Sequence, residues 1–324
     1  MSDLRVVGGE LVPPASTRRH LLSIRDLTRD DVERLLSRAR SFALSQEREN
    51  KKLPTLRGRL VLNVFYESST RTSSSFELAA KRLSADTLTL KSSGSSVDKG
   101  ESLKDTALTL SAYDPDVMVI RHPEAGAAAF VAAVADASVV NAGDGKHQHP
   151  TQALLDLHTM HEAFGHLDGL HVAIVGDVLH SRVARSLIEA LHLVGATAVL
   201  VGPPTLLPAG LAPTTHDLDA IVDADVVYVL RMQRERMLAG ASFVPSLREY
   251  TARWGITPDR VRPGQKVMHP GPMNRGIELD ARVADSDASL VVDQVRSGLV
   301  VRMAVLYDLL TSGPVAVEAA VGVA

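Results

Sequence analysis

The segment Ser69-Thr70-Arg71-Thr72 gathers three hydroxyls and one guanidinium into four residues, directly after the apolar run Leu60 to Tyr66 and its outlet Glu67-Ser68. The residues that follow, Ser73-Ser74-Ser75-Phe76-Glu77, continue as a helical pattern, which makes Ser69 the N-cap. Free N–H groups of the first turn, the hydroxyls of Ser69, Thr70 and Thr72, and the Arg71 charge can then converge on one phosphate dianion. Each charge-assisted bond contributes roughly 1.5–3 kcal/mol, less than the cost of burying an unpartnered dianion, so several must act together. Taken alone, the segment also reads as a hydroxyl-rich helix cap with a solvated arginine.

Other candidates are spread along the chain. Lys99 lies in the polar loop Ser92 to Glu101, which can carry its ammonium to an anion or can be a plain surface loop. Arg121 and His122 follow the buried-looking run Val117 to Ile120, at the carboxyl end where open α/β sheets bind ligands. His149 precedes a helical pattern, and Gln152 falls three residues on, on the same side, so both can reach one small polar ligand.

Arg182 opens a helix after the run His171 to Val175, and Arg231-Met232-Gln233 follows the run Asp225 to Leu230. Each arginine alone reads as the partner of a local acid; two of them facing a phosphate site suggest a substrate with two carboxylates. The stiff turn His269-Pro270-Gly271-Pro272 offers backbone carbonyls to a ligand with N–H donors, or is a proline-rigidified loop. Histidines 147, 149, 158 and 161 allow a metal reading, but no H-E-x-x-H or similar pattern accompanies them. Satisfied or solvated histidines are expected, with neither metal nor organic cofactor.

The elements that must position these residues are short β-branched runs alternating with amphipathic stretches, the pattern of parallel sheets covered by helices on both faces. Strands are expected at Leu60 to Tyr66, Thr87 to Leu90, Val117 to Ile120 and Ser138 to Asn141, with helices near Ser69 to Leu83 and Ser102 to Ser111. A second α/β unit has strands at His171 to Val175, Ala198 to Val201, Asp225 to Leu230 and Lys266 to Met268. Between the units, Pro150 starts a helix that Gly165 can end, and a last stripe, Leu299, Met303, Leu306 and Leu310, stops at Gly313-Pro314.

The expected fold class is therefore α/β: two doubly wound parallel-sheet domains joined by interdomain helices. An N-terminal extension, 1–19, reads as loose. The first domain covers 20–153 and is completed by the C-terminal helix at about 295–312; the second covers 154–294. With 324 residues and 45% hydrophobic content, two domains of ordinary size can each bury a core.

Composition excludes several function classes. A net charge of −3 and 4% aromatics give no basis for nucleic-acid binding. No segment approaches the ~20 apolar residues that cross a bilayer. The absence of cysteine rules out disulfides and thiolate chemistry, and agrees with a cytoplasmic location. Val175-Gly176-Asp177-Val178-Leu179-His180 has one glycine where a dinucleotide fingerprint needs three, and no P-loop or G-x-S-x-G occurs.

Taken together, Ser69-Thr70-Arg71-Thr72, Lys99, Arg121-His122-Pro123, His149-Pro150-Thr151-Gln152, Arg182, Arg231-Met232-Gln233 and His269-Pro270-Gly271-Pro272 resemble the catalytic chain of aspartate carbamoyltransferases, in order from about His20 to Leu310. The resemblance implies carbamoyl phosphate held by Arg71, Thr72, Arg121, His149 and Gln152, with Ser69 and Thr70 at its phosphate end. It implies L-aspartate held by Lys99, Arg182, Arg231 and Gln233, and the carbonyls of Gly271 and Pro272 near the carbamoyl nitrogen. Thr72, Arg121 and His149 would stabilise the oxyanion. It further implies a homotrimer in which Ser95 and Lys99 come from the neighbouring subunit. Regulatory or dihydroorotase-like partner chains stay open. Gly271 departs from relatives with leucine between the two prolines, a change that a backbone carbonyl role survives. The rival readings are ornithine carbamoyltransferase, commonly with His-Cys-Leu-Pro at that turn, and a silent homologue, against which every expected catalytic position is filled.

Overall fold

The computed structural model describes residues 20–91, 101–232 and 246–311, and the backbone of two short strands ahead of them. Those strands, β1 (Arg5–Val7) and β2 (Glu10–Val12), pair antiparallel, regular structure that the reading of 1–19 as a loose extension did not anticipate. Four strands follow, β3 (Leu60–Phe65), β4 (Asp86–Lys91), β5 (Val117–His122) and β6 (Ser138–Asp144). They form one parallel sheet in the order β4-β3-β5-β6. The next five, β7 (His171–Val175), β8 (Thr197–Val201), β9 (Thr214–Thr215), β10 (Val226–Val229) and β11 (Lys266–Met268), form a second parallel sheet. Its order is β11-β10-β7-β8-β9.

All seven residues of β6 and all four of β10 are buried, the burial of strands covered on both faces, and β10 reads accordingly as a continuous apolar run. Strand order matters more for function. The chain leaves β3 toward β4 and returns on the other side as β5; it leaves β7 toward β8 and returns on the other side as β10. Each sheet thus has one switch point, β3/β5 and β7/β10, where the connections diverge and open a crevice at the strands' carboxyl ends.

The helices are α1 (Arg29–Gln46), α2 (Thr70–Arg82), α3 (Leu103–Ser111), α4 (Ala127–Val134), α5 (Pro150–Phe164), α6 (Arg182–Leu193), α7 (Leu247–Trp254), α8 (Ala281–Ala284) and α9 (Val291–Thr311). In α5, Pro150 occupies the first turn, where its missing N–H costs nothing, and Gly165 ends it at φ +78°. Every residue from Pro150 to Met160 is buried, because α5 lies between the sheets and packs against α6 and α9. One apolar cluster runs from Val61 and Phe65 of the first sheet through Leu154, Leu157 and Met160 to Val172 and Ile174 of the second.

Helix α1 was absent from the sequence reading although its signals are local. Thr28 and Asp31 form a capping box, and Val32, Leu35, Leu36 and Ala39 recur on one buried face. It packs against α9, where Asp308 receives Arg34 and Arg38 at 3.2 and 2.6 Å.

Candidate active site

The two switch points face each other across a cavity of about 1060 Å³. On one wall, Ser69 caps α2 with extended backbone (φ −156°), its hydroxyl accepting from Thr72 N–H at 3.4 Å. Thr70, Arg71 and Thr72 fill the first turn, and all four residues line the cavity. Arg121 lies within β5, opposite Phe65 of β3 in the register, rather than after the strand as the sequence suggested. His149 and Gln152 arrive from the start of α5. The N–H of His149 donates to Ser186 Oγ at 2.8 Å, and that hydroxyl donates to Gln148 Oε1 at 2.6 Å, so the entry to α5 is held against α6.

The other wall belongs to the second sheet. Arg182 begins α6 after β7, and Arg231 follows β10. Gly271 and Pro272 close the site after β11. Gly271 has φ +66°, and a Cβ there would overlap the Arg71 guanidinium. A larger residue at 271 therefore requires Arg71 to stand elsewhere. Of the predicted residues, Ser69, Thr70, Arg71, Thr72, Arg121, His149, Gln152, Arg182, Arg231, Gly271 and Pro272 come together in this one cavity. Ser95, Lys99 and Gln233 lie outside the described residues. His122 belongs elsewhere: its ring tilts against Tyr66 with centroids 4.7 Å apart, and burial lowers its pKa.

Sequence reasoning assigned no role to Glu67. Its carboxylate takes Arg182 on both oxygens, Nη1 at 3.0 Å on Oε2 and Nη2 on Oε1, and takes Arg121 Nη2 at 2.9 Å. This one acid joins the two walls. Gly143 was also missed. It has φ +117°, and a Cβ there would lie 2.9 Å from Arg182 Nε and 3.2 Å from Arg121 Nη1, so only glycine lets the two guanidinium groups pass.

The field inside the cavity is strongly positive. Burial, and after it the Arg231 charge, lowers the pKa of Arg71, so two cations face one another without full solvation. Burial likewise pushes Arg302 down to about 10, against the pull of Asp156. Against these stands Glu67, the one carboxylate among the described lining residues. Such a site gains most from a ligand carrying several negative charges.

His269, seen in the sequence only as part of a turn, is buried and structural. Gly271 N–H donates to its Nδ1 at 2.8 Å, and Nε2 lies 3.3 Å from Glu278 Oε1. Burial lowers its pKa despite Glu278, and a neutral ring with Nδ1 accepting suits both contacts. The histidines considered for a metal go separate ways: His147 to Asp144, His158 to Ser297, His161 to Arg40, and His149 into the cavity.

Comparison with known proteins decides the family. The family model "Aspartate/ornithine carbamoyltransferase, carbamoyl-P binding domain" matches residues 19–162, and "Aspartate/ornithine carbamoyltransferase, Asp/Orn binding domain" matches residues 168–309. The chain belongs to this family. It is 55% identical over 303 residues to the aspartate carbamoyltransferase catalytic subunit of Acidothermus cellulolyticus, covering 91% of this chain and 93% of that one. The corresponding subunit of Salinispora arenicola is 56% identical over 303 residues, covering 90% and 98%. Among solved structures, aspartate transcarbamoylase from Trypanosoma cruzi in complex with carbamoyl phosphate and aspartate superposes with a TM-score of 0.82 at 31% identity, covering 93% of this chain and 100% of that one. The expected α/β class with two parallel sheets holds throughout this family match.

Proposed function

We propose that the protein transfers the carbamoyl group of carbamoyl phosphate to the α-amine of L-aspartate, giving N-carbamoyl-L-aspartate and phosphate. The observation that carries this reading is the meeting of two switch points in one cavity, each supplying arginines and a helix N-terminus. The relatives' names and the ligands of the superposed structure support it. Residues 20–153 with the C-terminal helix form the carbamoyl-phosphate domain on this reading, and 154–294 the aspartate domain.

The phosphate sits on the first turn of α2, held by Ser69, Thr70, Arg71 and Thr72. Arg121, Thr72 and His149 surround the carbamoyl oxygen, and Gln152 with the carbonyls of Gly271 and Pro272 takes the carbamoyl nitrogen. Arg182 and Arg231, with Gln233 and Lys99, hold the two carboxylates of aspartate. The amine lone pair attacks the carbamoyl carbon and the C=O electrons move to oxygen, where fixed donors stabilise the developing charge. The C–O bond to phosphate then breaks, phosphate leaves with the pair, and it accepts the amine proton. Positioning and preorganised charge supply the catalysis.

Three further points follow the resemblance. Three copies share their sites, Ser95 and Lys99 reaching into the neighbour's cavity. The product serves pyrimidine synthesis. The compartment we assign is the cytoplasm, in keeping with a cysteine-free chain.

Ornithine fits this cavity less well. Its side-chain amine would be the nucleophile, leaving an α-ammonium that needs an acid, and Glu67, the one carboxylate among the described lining residues, is bound to two arginines. A colorimetric assay of ureido product with each amine tests the reading: product with aspartate and little with ornithine is expected, and the reverse order would overturn it.

A further inference from the structure

Helix α5 carries a second polar residue one turn beyond Gln152. Asp156 is fully buried, and its carboxylate is a junction of three elements. Oδ1 accepts from Gln152 Nε2 at 3.1 Å and from Gln294 Nε2 of α9 at 2.8 Å, while Oδ2 accepts from the Tyr228 hydroxyl of β10 at 2.7 Å. Gln294 Oε1 in turn accepts from the backbone N–H of His269 at 2.9 Å. One carboxylate therefore ties the first turn of α5 to the strand that delivers Arg231 and, through Gln294, to the turn that carries Gly271.

The His269 N–H holds Gln294 with its Nε2 toward Asp156, so Oδ1 accepts whether or not the carboxyl carries a proton; the Gln152 amide must therefore offer it Nε2, and Oε1 is the end left for the cavity that Gln152 lines. On carbamoyl phosphate the phosphate and carbonyl oxygens accept, and the NH2 group is the donor. An acceptor presented by Gln152 therefore reads that NH2. Resting on the functional reading above, we propose that Asp156 is a positioning residue that fixes the orientation of the Gln152 amide and so makes the site select a carbamoyl NH2 over a methyl group.

Acetyl phosphate tests this directly, because it replaces that NH2 by CH3 and changes nothing else. Asp156→Leu keeps the branched shape of the side chain but offers no acceptor, so Gln152 loses its single orientation. With the full-length enzyme and saturating aspartate, D156L should raise KM for carbamoyl phosphate about tenfold, the loss of one oriented hydrogen bond. The inhibition constant of acetyl phosphate should stay within about twofold, since it made no such bond. A merely structural role moves both constants together. That result, or no movement of either, overturns the proposal. Should D156L not fold, Asp156→Ser, whose shorter side chain also withdraws the fixed acceptor, carries the same two outcomes. A wild-type enzyme that forms no N-carbamoyl-L-aspartate overturns the functional reading and this proposal with it, whereas a failed ratio on an active wild type overturns the proposal alone.

Discussion

Arg121 and Arg182 sit 11% and 4% exposed with Glu67 between them, an arrangement in which one carboxylate offsets the charge of two buried cations. Removing Arg121 leaves Glu67 still paired on both oxygens by Arg182, so no buried charge is stranded and the fold should survive. Arg121→Ala should therefore lower kcat on the order of a hundredfold or more, the scale of losing an oxyanion donor, with an unchanged circular dichroism spectrum. Near-wild-type turnover would remove Arg121 from the chemistry. Gly143→Ala acts on the same pair from behind, forcing a left-handed backbone and pushing at both guanidinium groups. It should lose about 1–3 kcal/mol of stability and at least about tenfold in kcat/KM. Urea unfolding and initial rates check the two halves of that statement, and an unaltered kcat/KM would show that the arginines tolerate displacement.

Helix α5 brings His149 and Gln152 to the site and packs against α6 and α9, and its buried acid has a consequence for pH. Burial pushes the Asp156 carboxyl up from 3.8 to about 7, against Tyr228, Gln294, Gln152 and the Arg302 charge, which all pull it down. A carboxyl raised on folding binds a proton more readily in the native state, so its contribution to stability is complete below 3.8 and is lost as pH rises through about 7. Compared with Asp156→Asn, the wild type should lose up to about 1.4 kcal/mol of unfolding free energy per pH unit across that window. Parallel pH profiles for the two proteins in urea unfolding would contradict this.

For the whole molecule, a chain of net charge −3 concentrates cations in one crevice between its sheets. The overall charge says little about the ligand; the local field says a great deal. If sites are shared between subunits, a Lys99→Ala chain mixed with an Arg71→Ala chain should regain activity, because some hybrid sites contain both native residues. Verified subunit exchange with no recovery would mean that each chain completes its own site.

The sequence by itself determined the parallel-sheet class, the Ser69-capped helix start, and a strand end or helix start for Arg121, His149, Gln152, Arg182 and Arg231. These are legible because capping, strand ends and turns are local: Ser69 and Thr72 are three residues apart. Tertiary structure decided which of them meet, and it supplied the residues that make the meeting possible. Glu67 finds Arg182 across 115 positions, Gln294 finds Asp156 across 138, and Gly143 matters only because two arginines cross it. An acid beside a strand, a glutamine on a helix and a glycine in a loop carry no distinguishing local pattern. Their roles exist only once burial removes water as the alternative partner and makes every unpaired charge costly.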